Sequence, residues 1–458
     1  MSIATVNPAT GATERTFDEI DDAELERRLQ VAHDAWLAHR RTGFAERAER
    51  INRAADLLDA DADSLGRTIT AEMGKTYAQA KAEVHKSARA LRFYAENAER
   101  FLAPQPLPDP SVVDAKQAYA IFQPIGPVLA VMPWNFPVWQ VIRFAAPAIM
   151  AGNVGLLKHA SNVPQTALYI QDLFTRAGFP EGVFQTLLIS SRRVEKVIRD
   201  PRVAAVTLTG SEPAGRSVSS IAADEIKKSV LELGGSDPFV VLPSADLDEA
   251  VKVGVAARMS NNGQACINAK RFIVHADVYD AFVEKFLARV AALKVGDPME
   301  DGVDVGPLSS EGARRDLLGL VDDATAHGAT VLAGGHAMDR PGWYVEPTVV
   351  SGITKDARLY YEEAFGPVAS VYRVADIDEA IELANDTPFG LGAVAWTNDP
   401  AEQQRMVTEL EAGTVVINGS TISYQEMPFG GHKRSGFGRE LAAEGIREFM
   451  NLKSVRIC

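Results

Sequence analysis

The chain has 458 residues, of which 46% are apolar and 24% charged, and a formal net charge of −14. That length exceeds one ordinary core and implies two or three domains, and the acidic balance disfavours nucleic acid as a partner. Two cysteines cannot build a disulfide framework, and the N-terminus lacks a basic-then-apolar leader, so the expected location is the cytoplasm.

In chain order, residues 1–105 read as mostly helical. "DDAELERRLQVAHDAWLAH" opens with acidic residues suited to a helix start and spaces Leu25, Leu29, Ala32 and Trp36 along one face. "LAPQPLPDPS", residues 102–111, carries four prolines and ends the helical region. "PVWQVIRFAAPAIMAG", residues 137–152, is the most apolar run. Gln140, Arg143 and two prolines make it a buried or pocket-lining helix and no membrane span. "PVLAVMPWNF", "NVGLLKHA", "AAVTLTGS" and "KSVLELGG" are short, apolar and β-prone, with helical segments between them. Such alternation predicts a parallel sheet covered on both faces, with ligands bound where strands run into polar or glycine turns. A second alternating region follows: "PFVVLP", "KRFIVH", "ATVLAGG", "ASVYRV", "GAVAWT" and "GTVVING" read as strands. The tail "GIREFMNLKSVRIC" ends in a strand-like segment, a template for pairing with another subunit.

Four segments carry chemistry. Cys266 lies in "SNNGQACINAKRF"; Asn261, Asn262, Gly263 and Gln264 read as loop residues rather than core residues. A thiol presented there beside backbone N–H donors is placed to be a nucleophile. A distant histidine partner, as in thiol hydrolases, stays open, although none of the eight histidines sits in an obvious signature. Glu232, in "LELGGSDP", is flanked by leucines and followed by two glycines, a setting that desolvates a carboxylate and makes it a usable base. Asn135, in "PWNFP", sits in a rigid turn able to aim its amide at a developing oxyanion. "LTGSEPAG" is a strand–glycine–helix junction suited to a pyrophosphate, without the full dinucleotide fingerprint.

The combination and order of "PWNFP", "LLKHAS", "LTGSEPAG", "LELGG", "NNGQACINAKRF", "EEAFGPV" and "PFGGHKRSGFGRE" resemble the aldehyde dehydrogenase superfamily over nearly the whole chain. The resemblance implies oxidation of an aldehyde to an acid by NAD or NADP. Cys266 matches the nucleophile, Asn135 the oxyanion donor, Glu232 the base that activates water, and Glu440 a glutamate linked to proton relay. Met132, Pro133, Trp134, Lys158, Ser161, Gly210, Ser211, Leu233, Glu363 and Phe365 match positions near the dinucleotide. Ser161 stands where NAD-preferring members often carry glutamate, so no charge repels a 2′-phosphate and Lys158 is free to pair with it; NADP is the expected cofactor, with NAD possible. The loop "ISSRRVEK" lacks the glycine-rich look of relatives, and His159 replaces a usual proline in a structural role.

Arg143 falls eight residues after Asn135, where relatives acting on succinate semialdehyde have an arginine that clamps the far carboxylate. Ser260, Ser423 and Tyr424 would complete a looser clamp. The implied substrate is succinate semialdehyde; the alternative is a broad-specificity enzyme acting on aliphatic, aromatic or other semialdehydes such as glutarate semialdehyde. Asn268, two after Cys266, rules out a neighbouring-cysteine redox switch, and Cys458 reads as incidental. The implied fold is α/β, with a Rossmann-type parallel-sheet cofactor domain, an α/β catalytic domain and a small β oligomerisation element. Its expected segments are 1–103 and 126–234 for the cofactor domain, 104–125 for the first part of the oligomerisation element, 235–435 for the catalytic domain, and 436–458 for a C-terminal segment with the oligomerisation strand. The expected partners are a small aldehyde and further copies of the chain in a homodimer or tetramer, with no nucleic acid, membrane or metal.

Overall fold

Strands of the first large sheet lie in the spatial order Gly436–Phe437, Lys228–Glu232, Ala205–Thr209, Pro127–Met132, Val154–His159, Phe184–Thr186 in the computed structural model, which describes residues 3–458. All neighbours are parallel except Gly436–Phe437, which runs antiparallel to Lys228–Glu232. The chain starts at the central strand Pro127–Met132, proceeds outward on one side, then returns to Ala205–Thr209 on the other. The point where direction reverses is where an open α/β sheet leaves a crevice beyond its carboxyl ends.

The second sheet has seven strands, ordered Thr330–Ala333, Thr348–Ser351, Val368–Val374, Ala269–His275, Asp237–Val241, Gly392–Trp396, Thr414–Ile417. Only its outer pair, Thr330–Ala333 with Thr348–Ser351, is antiparallel. Side-chain alternation divides its residues between two cores. Phe239, Val241, Phe272, Val274, Val394 and Trp396 pack on one face, and Val240, Leu242, Ile273, Ala393 and Ala395 on the other. Burial on both faces is why these strands are apolar throughout.

The helices of the first hundred residues form as expected. Asp21 caps Asp22–His39 by accepting from the Glu24 N–H at 2.7 Å, and Leu25, Leu29 and Ala32 are buried. One correction applies: the chain opens with an antiparallel hairpin, Ile3–Val6 with Thr13–Phe17, before any helix. Its second strand, "TERTF", is exposed on nearly every residue and shows no apolar alternation; the Asn7–Gly11 turn, with Gly11 at φ +76°, sets the pairing. The apolar segment forms the helix Trp139–Ala151, buried along its whole length. No helix among the described residues is long and apolar enough to cross a membrane. A small third sheet joins Gln105–Pro106, Gln117–Pro124 and the C-terminal strand Met450–Ile457, all antiparallel.

Candidate active site

The cysteine loop is built by backbone geometry that its sequence requires. Asn261, Asn262 and Gly263 adopt left-handed φ of 56°, 57° and 73° in succession, a conformation tolerated by Asn and Gly. A Cβ on Gly263 would lie 2.3 Å from the Gly366 backbone. The sequence suggested a surface-type loop; instead Asn261, Asn262, Gly263 and Gln264 are all buried. Their polar groups are used: the Asn262 amide donates to the carbonyls of Gly74 (2.8 Å) and Pro307 (2.9 Å) and accepts from the Gly306 N–H (2.8 Å). Asn268 Oδ1 accepts from the Ala265 N–H at 2.7 Å, so the residue two after the cysteine braces the loop. Lys270 donates to the carbonyls of Ala265 (2.9 Å) and Cys266 (2.7 Å) and pairs with Glu363 at 3.0 Å.

Across from this loop, the turn after Pro127–Met132 delivers Asn135. Its amide donates to the Gln264 carbonyl at 2.9 Å, and Asn261 donates to the Asn135 carbonyl at 2.9 Å, which ties turn and cysteine loop together. His159 lies 2.9 Å from the Pro137 carbonyl at Nε2, and its Nδ1 faces the Ala160 N–H (2.9 Å) and the Met132 carbonyl (3.2 Å). Burial pushes this imidazole down to about 4, so it stays neutral and holds the turn in place.

Glu232 ends its strand with both carboxylate oxygens buried and without a hydrogen-bond partner among the described residues. Burial, then the charge of Glu440, raise its pKa well above the ordinary glutamate range, with Arg143 acting the other way. Glu440 is buried and raised by desolvation, and it forms an ion pair through its Oε2 with Arg143 Nε. Arg143 also donates to the Thr209 hydroxyl at 3.3 Å and lies over the Phe429 ring at 4.8 Å.

Cys266 is half-buried and opens on two cavities. One, of about 280 Å³, lies between the carboxyl ends of the first sheet and the amino ends of the second. It gathers Pro133, Trp134, Asn135, Gly210, Ser211, Leu233, Cys266, Glu363 and Phe365, together with Gln140, Thr209 and Gly234, which the sequence did not single out. Trp134 meets Phe365 edge to face at 5.7 Å. The apolar wall and the start of the helix Glu212–Asp224 beside Gly210 fit a nicotinamide ring and an adjoining phosphate. Met132, Lys158 and Ser161 lie outside this chamber, at or just beyond the carboxyl ends of the central strand and its neighbour. Lys158 makes no ion pair among the described residues; burial holds it below the ordinary lysine range, with Glu19 opposing. Burial pushes the Cys266 thiol up to about 12, with Lys270 the main opposing charge, so the thiol is protonated at neutral pH.

The other cavity, of about 440 Å³, is walled by the helices Tyr77–Phe101 and Trp139–Ala151 and the segment 420–423. Arg143, Ser260 and Ser423 line it together with Cys266; so do Lys86, Phe136, Trp139 and Phe429, none of which the sequence signalled. Tyr424 is 53% exposed and outside this lining. Among the described residues no group of three or more His, Cys, Asp or Glu side chains is arranged to hold a metal ion.

A half-buried thiol that opens on a ring-sized chamber and on a separate chamber, facing the carboxyl edge of a parallel sheet, is an arrangement suited to a nucleotide-dependent dehydrogenase. The chain belongs to the aldehyde dehydrogenase family, whose profile matches residues 1–455. It is 62% identical over 458 residues to a Mycolicibacterium paratuberculosis protein named succinate-semialdehyde dehydrogenase [NADP(+)], covering 100% of this chain and 97% of the relative. A Mycobacterium tuberculosis protein of the same activity name, numbered 1, is 60% identical over 457 residues, with 100% of each covered. The crystal structure of succinic semialdehyde dehydrogenase from Streptococcus pyogenes in complex with NADP+ superposes with a TM-score of 0.97 at 39% identity, covering 100% of both chains.

Proposed function

We propose that the protein oxidises succinate semialdehyde to succinate with NADP as hydride acceptor. The observation that carries this reading is the position of Cys266 on both cavities, with the unpaired carboxyl of Glu232 buried beyond the ring-sized one. The names of relatives 60–62% identical over the full chain support the substrate and cofactor.

The aldehyde enters the larger chamber, and the Cys266 sulfur adds to its carbonyl carbon. Glu232 takes the thiol proton and releases it to solvent, which frees its carboxylate for the later step, and the oxygen becomes an alkoxide held by the Asn135 amide and the Cys266 N–H. Bound NADP supplies the acceptor for the hydride that leaves the former aldehyde carbon. Collapse of the alkoxide expels that hydride and leaves a thioester on Cys266. Glu232 takes a proton from water, the hydroxide adds to the thioester, and the C–S bond breaks to release the acid. Through their ion pair Arg143 opposes the desolvation that raises Glu440, and negative charge on Glu440 raises the affinity of Glu232 for a proton. Lys158 and Ser161 would hold the 2′-phosphate, where no acidic side chain stands three residues after the lysine.

Segments 1–103 and 126–234 serve the cofactor, 235–435 the thiol, and 104–125 with 436–458 assembly into a homodimer or tetramer in the cytoplasm. Steady-state kinetics test the reading. With NADP, kcat/KM for succinate semialdehyde should exceed that for butyraldehyde, its uncharged analogue of equal chain length, by about 100-fold, or about 2.7 kcal/mol. NAD should be the poorer acceptor. Equal values for the two aldehydes would leave a broad aldehyde dehydrogenase and remove the semialdehyde assignment.

A further inference from the structure

Lys270 lines neither cavity, yet its side chain is only 2% exposed. It stands on the strand Ala269–His275, four residues after the thiol. Its three ammonium protons meet three oxygens: the Ala265 carbonyl at 2.9 Å, the Cys266 carbonyl at 2.7 Å and Glu363 Oε1 at 3.0 Å. That same glutamate oxygen accepts from the Gly235 N–H at 3.2 Å. The packing is close, since a Cβ on Gly235 would lie 2.7 Å from the Cys266 carbonyl oxygen. One ammonium therefore grips both peptide units that flank the Cys266 Cα. A peptide unit is planar and trans, so a hold on its carbonyl fixes the direction of its N–H. The unit whose carbonyl belongs to Ala265 carries the Cys266 N–H. That N–H donates to no carbonyl or side chain among the described residues. A cation on the carbonyl also polarises the amide and strengthens its N–H as a donor. An ion pair that served only to neutralise Glu363 would not require both carbonyls.

We propose that Lys270 is a positioning residue for the backbone half of the oxyanion site: by holding the Ala265 and Cys266 carbonyls it aims and polarises the Cys266 N–H toward the alkoxide that forms when the thiol adds to a carbonyl. Lys270 acts through the peptide, without touching the reacting atoms. The proposal rests on the thiol-addition chemistry given above and adds to it what orients the donor.

Two cofactor-free reactions of Cys266 separate this role from a general effect of charge on the thiol. With p-nitrophenyl acetate the sulfur adds to the ester carbonyl, the oxygen becomes an alkoxide, and its collapse expels p-nitrophenolate and leaves an acetyl thioester. The signal is the p-nitrophenolate burst that prior alkylation abolishes. Iodoacetamide alkylates the same sulfur by displacement of iodide, with no alkoxide at any point. The Lys270 charge opposes the burial that raises the thiol, so its loss slows both reactions alike. In Lys270→Met, acylation should slow by about 10-fold more than alkylation, a part of the roughly 10²–10³-fold that one oxyanion donor contributes. Lys270→Gln, whose amide still donates to one carbonyl, should recover some of that excess. Where Lys270→Met does not fold, the same comparison in Lys270→Gln decides, with an excess of about 3-fold expected. Equal slowing of the two reactions, or no slowing of either, overturns the proposal. NADPH formation from succinate semialdehyde by the wild type is followed alongside. Its absence removes the semialdehyde reading, whereas the ratio of acylation to alkylation bears on Lys270 alone.

Discussion

Glu232 is a buried carboxyl without a hydrogen-bond partner among the described residues, an arrangement that costs stability and so marks a functional candidate. Its raised pKa fixes the sign of a pH effect. Below that value the carboxyl is protonated and idle as a base, so turnover limited by thioester hydrolysis rises with pH through the raised value and then levels off. Glu232→Gln should give a burst of one NADPH per site followed by turnover slowed by about 10²–10⁴-fold, without that rise. A stopped-flow trace with no burst and an undiminished steady state would remove Glu232 from the hydrolytic step. At this scale Cys266, Glu232 and Asn135 stood out through the motifs that hold them, while the burial of the loop around Cys266 did not. Nor did Lys86. A lysine on an amphipathic helix is ordinarily solvated, and its spacing, three residues after the buried Glu83, gives only a weak hint that it rims the apolar face.

Among the elements, the helix Trp139–Ala151 shows how distant sequence positions one side of the chamber. Its first turn has no side-chain cap of its own. Glu83, from Tyr77–Phe101, accepts from the N–H groups of Val138 (2.8 Å) and Trp139 (2.9 Å) and pairs at 2.5 Å with Lys75, both fully buried. Lys75 lies 4.0 Å from the centre of the Phe136 ring, in the turn that carries Asn135. The pair thus holds the turn that carries Asn135, and Trp139 of the chamber wall, against one helix. Removing one partner leaves a buried charge and two unsatisfied N–H groups, so Glu83→Ala should destabilise by about 3–5 kcal/mol in denaturant titration. Its kcat should fall along with its stability. A loss below about 1 kcal/mol would mean that the charges are not buried together in solution. Most strands of both sheets were readable from apolar runs bounded by glycine and polar turns; the short strands Phe184–Thr186, Thr348–Ser351 and Gly436–Phe437 were not. This brace was not, because Lys75 and Glu83 are eight residues apart and meet the turn only through tertiary packing. The opening hairpin escaped for a different reason: a strand exposed on nearly every residue carries no hydrophobic period to read.

For the molecule as a whole, the unfinished feature is the three-stranded sheet. Met450–Ile457 pairs along its full length with Gln117–Pro124, yet it is an outer strand with a free edge, and six of its eight residues are exposed. Leu452 and Ile457 are among the exposed large apolar residues of the chain. A narrow sheet whose outer strand is largely exposed is marginal alone, and an open apolar edge invites pairing with another chain. Exposure of this kind on a segment far from both cavities is explained if a second copy covers it. Leu452→Glu places a charge in the middle of the strand without touching the site. In sedimentation velocity the wild type should run as a dimer or tetramer and the variant should shift toward the 49.4 kDa monomer. The residues that line both cavities around Cys266 lie outside this strand, so the variant's Cys266 should react with iodoacetamide at the wild-type rate. If Leu452→Glu leaves the mass unchanged, the C-terminal strand is not the assembly surface, and its exposed residues are simply solvated.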